Sequence, residues 1–274
     1  MIKTNKNTEV PMEAVHWMIK KARQKIMDRE YPAGEIINGR YQIEKVLQNG
    51  SYGIIYLCQD LSTGQTCVVK QMRKSKRKEN AENYLQETAI LKLLDHPGIP
   101  SLIDTFSYEG EQFFSMAFVE GKNVEDTLFA TGQQYTEKEC LPIIEQLTFI
   151  VCYIHDQGVF HGDIRIPNVL LHNGKIHLID FGLASNLGAE SGLKTQREQL
   201  AQDDFFDLGD FLLFLLYSSY DGDIKKGRSW TEELHLKPQT TLLLKRLLGI
   251  TKPYQQCADI LTDIRKAIGS FHAH

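Results

Sequence analysis

From Tyr41 to about Val119 the pattern of apolar and polar residues turns to strands, broken by one helical stretch. Tyr41–Leu47, Ile54–Gln59 and Gln65–Gln71 are β-rich runs divided by Asn49-Gly50-Ser51 and Ser62-Thr63-Gly64. Alternation places successive side chains on opposite faces, and glycine beside asparagine or serine marks turns, so three connected strands are predicted. Tyr84, Leu85, Thr88, Leu91 and Leu94 then fall at helical spacing and predict a helix over Asn80–Leu94. Two more strands are predicted at Leu102–Tyr108 and Gln112–Phe118, with Glu109-Gly110 at their turn. Beyond Glu120-Gly121 helical spacing dominates, clearest at Lys138–Asp156, Asp203–Tyr220 and Leu242–Leu248, with a last helix near Gln255–Ile268. The exception is Val169–Phe181, where two short apolar runs flank Asn173-Gly174 as a hairpin. At the other end, Pro11–Glu30 reads as an amphipathic helix. Val15, Met18, Ile19, Ala22 and Ile26 form its apolar face, Lys20, Lys21, Arg23 and Lys25 its basic one, and Tyr31-Pro32-Ala33-Gly34 ends it. The pattern therefore predicts an α+β chain in three parts: an extension over 1–38, a small β-rich lobe with one main helix over 39–119, and a larger α-helical lobe over 120–274.

With 274 residues the chain can bury a core without disulfides or metals to staple it. Lys plus Arg is 31 and Asp plus Glu is 35, a net charge of −4 that gives no electrostatic case for nucleic acid as the main partner. The longest greasy stretch, Phe205–Tyr217, contains Asp207 and Asp210 and falls short of the roughly 20 apolar residues a bilayer requires, so no transmembrane anchor is expected. Cys58, Cys67, Cys140, Cys152 and Cys257 are scattered and odd in number, with no metal-clip spacing. A reducing, cytoplasmic compartment is the expectation.

Candidate chemistry begins at Leu47-Gln48-Asn49-Gly50-Ser51-Tyr52-Gly53-Ile54-Ile55, between two predicted strands. Glycines there serve either a tight turn or the close approach of backbone N–H groups to phosphates, and the residues alone leave both open. Lys70 ends the apolar run Cys67-Val68-Val69, as an edge residue or as a buried cation needing an anion; Glu87, 17 residues on, is a candidate counter-charge. His161-Gly162-Asp163-Ile164-Arg165-Ile166-Pro167-Asn168 and Ile179-Asp180-Phe181-Gly182 follow in the second half. Two aspartates and an asparagine at loop and strand ends supply oxygen ligands for Mg²⁺ plus a carboxylate to receive a proton.

Glycine-rich loop, strand lysine, helix glutamate, catalytic loop and Asp-Phe-Gly occur in that order, and from about Tyr41 to Ile268 the sequence resembles the protein-kinase superfamily. The chain is most similar to small bacterial serine/threonine kinases without a membrane anchor. The resemblance implies a bilobal kinase fold, ATP and Mg²⁺ (or Mn²⁺) as cofactors, and transfer of the γ-phosphoryl group to Ser/Thr hydroxyls of protein substrates, with autophosphorylation among the outcomes. It implies that Leu47 through Ile55, with Gly50 and Gly53 at the centre, cover the nucleotide. Lys70 would hold the α/β-phosphates, aligned by Glu87. Asp163 would accept the substrate proton, Arg165 would neutralise the γ-phosphate, and Asn168 and Asp180 would bind the metal. Met116 would guard the back of the adenine pocket, Ala117 and Val119 would offer backbone hydrogen bonds, and Ile55, Val68 and Leu170 would sandwich the ring. Asp204 resembles the helix aspartate that braces the catalytic loop. Leu91, Leu102, Phe181 and His161 would stack into a hydrophobic column.

Four departures from the family pattern stand out. Gln48 replaces the first loop glycine, and Val68 stands where a small residue is usual. Gly162 replaces the arginine that would grip an activation-loop phosphate, so activation is expected not to depend on a phosphate held there. Asp204 follows Gly182 by only 22 positions, with no Ala-Pro-Glu between or after them. This shortening leaves a small-molecule phosphotransferase of the aminoglycoside type as the alternative, while a pseudokinase scaffold is opposed by the presence of Lys70, Asp163 and Asp180. The N-terminal helix is expected to dock on the small lobe in cis or to recruit a partner.

Overall fold

The structure is a computed structural model describing residues 29–50, 53–73, 77–188, 194–222 and 228–272, with the side chains of 77–81 left out. Most of the predicted Pro11–Glu30 helix lies outside these residues; its last two, Arg29 and Glu30, are not helical. The chain divides into two compact units, residues 1–84 with 104–115, and residues 85–103 with 116–274.

A six-stranded sheet in the order β1-β2-β3-β4-β6-β5 dominates the first unit. Its strands are β1 (Ile36–Ile37), β2 (Tyr41–Asn49), β3 (Gly53–Asp60), β4 (Gln65–Met72), β5 (Leu102–Tyr108) and β6 (Glu111–Ala117). β2, β3 and β4 are joined as antiparallel hairpins, and β2 carries register shifts at Ile43/Lys45 and Val46/Gln48. Their alternate residues meet as predicted: Tyr41, Ile43, Ile54, Tyr56, Cys58, Cys67, Val69 and Phe113 form one buried cluster, which Tyr31 joins from outside the sheet. Arg40 closes one end, with Nη2 2.7 Å from Asp60 and Nη1 3.2 Å from Asp104.

Helix α1 (Arg77–Leu93) starts in the first unit and ends in the second. The second unit adds α2 (Val124–Thr131), α3 (Glu137–Asp156), α4 (Lys194–Tyr217), α5 (Trp230–Glu233), α6 (Pro238–Leu247) and α7 (Cys257–Gly269). Leu141, Ile144, Leu147, Val151 and Ile154 of α3, Leu208, Leu212 and Leu215 of α4, and Ile260 and Ile264 of α7 are buried. β7 (Lys122–Asn123), β9 (Val169–His172) and β10 (Lys175–Leu178) form a three-stranded sheet, and β8 (Val159–Phe160) pairs with β11 (Ser185–Asn186). The predicted Asn173-Gly174 turn is present with both residues at positive φ (50° and 75°), the backbone a two-residue hairpin requires.

Two boundaries differ from the sequence reading. α4 begins at Lys194, not near Asp203, because its first turns are polar and lack the apolar stripe that periodicity detects. α2 has a short apolar content but sharp ends: Asn123 Oδ1 accepts from Asp126 N–H at 2.6 Å, and Gly132 closes it at φ 66°.

Gly53 opens β3 opposite Met72 of β4. A Cβ there would lie 2.5 Å from the Gln71 carbonyl oxygen, a backbone atom that cannot rotate away. Gly53→Ala should therefore cost about 1–3 kcal/mol through strand displacement, measurable by chemical denaturation. A variant as stable as the wild type would contradict this packing.

Candidate active site

The geometry of the second unit is built around a buried carboxylate. Asp204 on α4 has no solvent exposure. Its Oδ2 accepts from the His161 N–H at 2.9 Å and its Oδ1 from the Gly162 N–H at 2.7 Å. His155, in the last turn of α3, places Nε2 2.7 Å from the same Oδ2. An ionised carboxylate only accepts, so His155 donates from Nε2. One turn further along α4, Asp207 Oδ2 accepts from the Ile164 N–H at 3.1 Å. Two carboxylates of one helix thus hold the backbone on both sides of Asp163.

Asp163 itself is partly exposed, with Arg165 Nε 3.0 Å from Oδ1. Asn168 Nδ2 donates to Asp163 Oδ2 at 2.8 Å and to its carbonyl at 3.0 Å. His161 is fully buried: the Asp163 N–H reaches its Nδ1 at 3.3 Å, and its Nε2 lies 3.2 Å from the Ile179 carbonyl. This pattern puts the proton on Nε2. Burial pushes the imidazole pKa down, in keeping with a neutral ring. Ile179 N–H donates to the Asn168 carbonyl at 2.9 Å, which ties Asp180 to the catalytic-loop segment. Asp180 sits at φ 62°, a left-handed conformation uncommon for a residue with a Cβ, and the Phe181 ring packs edge-on to His161 at 4.8 Å. Of the predicted hydrophobic column, His161 and Phe181 meet here, and Leu91 is buried in the same unit.

The segment after Asp180 is fastened without a basic side chain from position 162. Gly162 has φ 70°, and a Cβ there would crowd the Leu183 carbonyl at 3.3 Å. Ser185 and Asn186 pair with Phe160 and Val159, the Leu187 N–H donates to the Gly158 carbonyl at 3.0 Å, and Gln86 Nε2 of α1 donates to the Ala184 carbonyl.

In the first unit, Lys70 of β4 is buried, with Nζ 5.7 Å from the centroid of the Phe114 ring. It faces Ile55 across the β3–β4 ladder, and Val68 is buried two residues away. The glycine turn spans β2 to β3, closed by a 3.0 Å bond from the Gly50 N–H to the Gly53 carbonyl. Leu47 is exposed, as are Gln48 and Asn49 along β2; Ser51 and Tyr52 lie outside the described residues. Strand alternation turns the Ile54 side chain into the aromatic core.

Glu87 is buried on the part of α1 that belongs to the second unit, which also contains the half-buried Met116, Ala117, Val119 and Leu170. Of these, Glu87 has 3% relative exposure. The Ala117 N–H is engaged by the Ser101 carbonyl at 2.9 Å, which leaves its carbonyl as the group it can offer. Sequence reading missed Asp207, His155, Gln86 and Arg73. Asp207 had a signal, since a carboxylate three residues after Asp204 lies on the same helix face; the other three had none.

A two-lobed kinase fold with a doubly braced Asp-containing loop defines the class. A family model described as the protein kinase domain matches residues 41–201, more than half of the chain. The chain belongs to the protein-kinase family. It is 45% identical over 254 residues to the probable serine/threonine-protein kinase YbdM of Bacillus subtilis, covering 92% of this chain and 98% of that one. It is 31% identical over 159 residues to the serine/threonine-protein kinase PrkC of Bacillus subtilis, covering 57% of this chain and 24% of PrkC. Among solved structures, a cysteine-to-alanine mutant of the Mycobacterium tuberculosis PknI kinase domain superposes with a TM-score of 0.68. It is 20% identical, covers 87% of this chain and 99% of its own, and shows the shared fold.

Burial pushes the Asp207 carboxyl up to about 6, and the Ile164 N–H, which favours the anion, only partly offsets it; Asp204, Asp163 and Asp210 push in the same direction as burial. The folded pKa exceeds the ordinary 3.8, so the fold binds this proton more tightly than the unfolded chain does. Stability from this group is present at low pH and lost as pH rises through about 6. Asp207→Asn keeps an acceptor but cannot ionise. Its stability should match the wild type near pH 3, begin to exceed it as the pH passes 4, and exceed it near pH 8 by about 1 kcal/mol, discounted for partial exposure. Thermal unfolding across that range checks this; parallel curves would refute it.

Proposed function

We propose that this serine/threonine protein kinase transfers the γ-phosphoryl group of ATP with Asp163 receiving the proton of the substrate hydroxyl. One observation carries the reading: Asp163 stands in a loop whose backbone is gripped on both sides by Asp204 and Asp207. Phosphoryl transfer asks for positioned charge and one oriented hydroxyl rather than covalent chemistry by the protein. Asp163 accepts the proton as the hydroxyl oxygen forms its bond to phosphorus, and Arg165, beside it, offsets charge on the transferred group. Lys70 holds the α/β-phosphates, and Glu87 is assigned with it as the acid of the family pattern. Gly50 and Gly53 cover the phosphates, the Ala117 carbonyl and Val119 backbone read adenine, and Ile55, Val68 and Leu170 line its ring.

Asn168 and Asp180 fit a hard divalent cation. Because a carboxylate cannot donate, Asn168 must give its amide nitrogen to Asp163 and keeps its oxygen for a ligand. Among the described residues no group of three or more His, Cys, Asp or Glu could hold a metal alone. Two oxygen donors suit Mg²⁺, which commonly takes one or two side-chain ligands and completes its shell with phosphates and water; Mn²⁺ accepts the same set. Bound with the nucleotide, the ion neutralises phosphate charge. Five free cysteines support a reducing, cytoplasmic setting, and among the described residues no helix is long and apolar enough to cross a membrane.

Labelled ATP offered with a generic protein and a small-molecule panel tests the acceptor class. Label on protein serine or threonine is expected, and label confined to small molecules would overturn the reading. Asp163→Asn should lower kcat by about 10²–10⁴-fold with the fold intact. Because Gly162 brings no cation to the segment after Asp180, Ser185→Ala and Thr195→Ala should retain activity within about twofold, and Ser185→Asp or Thr195→Asp should give no large rise. Kinase assays on the dephosphorylated proteins measure both.

A further inference from the structure

The three residues that lead into the first unit are tied to the two strands expected to handle the nucleotide. Tyr31 is fully buried, its ring centroid 6.4, 6.0 and 6.1 Å from those of Tyr56, Tyr108 and Phe113. Its N–H donates to the Tyr56 hydroxyl at 3.2 Å, and its own hydroxyl donates to Glu109 at 3.1 Å. Arg29 pairs with Glu35 at 2.7 Å and Glu109 at 2.9 Å, and its carbonyl accepts from Gln71 Nε2 at 2.9 Å. Gln71 directly follows Lys70. Between them, Glu30 reaches the other strand: Asn49 Nδ2 donates to the Glu30 carboxylate, and Asn49 Oδ1 accepts from Arg73 Nη2. Arg73, buried just past the end of β4, donates from Nε to the Gly50 carbonyl at 2.7 Å.

A turn with glycines at 50 and 53 has backbone freedom that nucleotide binding must remove. The Arg73 guanidinium removes part of it beforehand by fixing the Gly50 carbonyl. Its planar fork binds that carbonyl and Asn49 together, and the Glu30 carboxylate orients Asn49. We propose that Arg73 and Glu30, joined through Asn49, are positioning residues for the glycine turn, and that Arg29–Tyr31 is a strap that sets the affinity for ATP. The inference rests on the assignment of Gly50 and Gly53 to the phosphates. Anything that lifts the strap frees Asn49, loosens Arg73 and returns freedom to the turn. Preorganisation acts on binding, so the effect falls on ATP and spares the chemical step.

The test uses the full chain with Glu30→Gln, Arg73→Gln and the double variant. KM for ATP, KM for a protein substrate, kcat and thermal midpoint are read, together with equilibrium titration of a non-hydrolysable ATP analogue. Arg73→Gln should raise KM and Kd for nucleotide about tenfold and Glu30→Gln about threefold, with kcat and protein-substrate KM within about twofold. The double variant should be no weaker than Arg73→Gln alone, because both act along one chain of contacts. Unchanged nucleotide affinity in either variant, equal losses in kcat and affinity, or fully additive effects would overturn the proposal. If Arg73→Gln fails to fold, Glu30→Gln at the exposed end decides by the same criterion. A wild type that does not bind the analogue overturns the phosphate assignment itself, and the strap proposal with it.

Discussion

Everything in the larger unit turns on keeping one ionised carboxylate out of water. Asp204 is fully buried, and an isolated carboxylate there would cost far more than a domain's net stability. It is tolerated because three donors, two backbone N–H groups and the His155 ring, surround it. The same satisfaction works in reverse on the backbone. The amides of His161 and Gly162 lie outside the strands and helices, and among the described residues both donate to Asp204 on α4. The apolar packing of α3 and α4 is thereby converted into a fixed conformation of the loop bearing Asp163.

Asp207 extends this brace at a cost. It takes the Ile164 N–H but is half-buried near three other carboxylates, and its raised pKa records the burial first and the crowding second. A helix that presents aspartates at 204, 207 and 210 next to the Asp163 carboxylate is not arranged for maximum stability. The loop gains a second anchor, and the fold gives up part of the charge balance it would otherwise have. Gly162 fits the same logic: its left-handed backbone brings both amides toward Asp204, where a side chain would press on the Leu183 carbonyl.

Much of this was legible in the sequence, for identifiable reasons. The β-hairpins of β2 to β4 followed from period-two alternation broken by glycine. The Asn173-Gly174 turn was readable because few residue pairs accept positive φ in succession. Asp163, Asn168 and Asp180 were readable because they form a spaced set of oxygen-bearing residues at loop and strand ends. The polar start of α4 carried no such signal. Neither did Arg73, whose guanidinium only the fold turns onto Gly50. Ile54 and Ile55 were indistinguishable as neighbours in a nucleotide-covering stretch, and only the pleat separates the buried one from the other.

The sequence by itself determined the order of elements and the two kinds of lobe, and it supplied the candidate reactive groups, since periodicity, turn chemistry and residue type are local properties. Tertiary structure alone decided which groups act on one another across the chain: Asp204 on His161 and Gly162, Asp207 on Ile164, Glu30 on the glycine turn through Asn49 and Arg73. Such contacts join residues from 19 to 43 positions apart. Their partners are chosen by helix packing and strand register, which are set by the burial of apolar surface and carry no local mark on the polar residues they bring together.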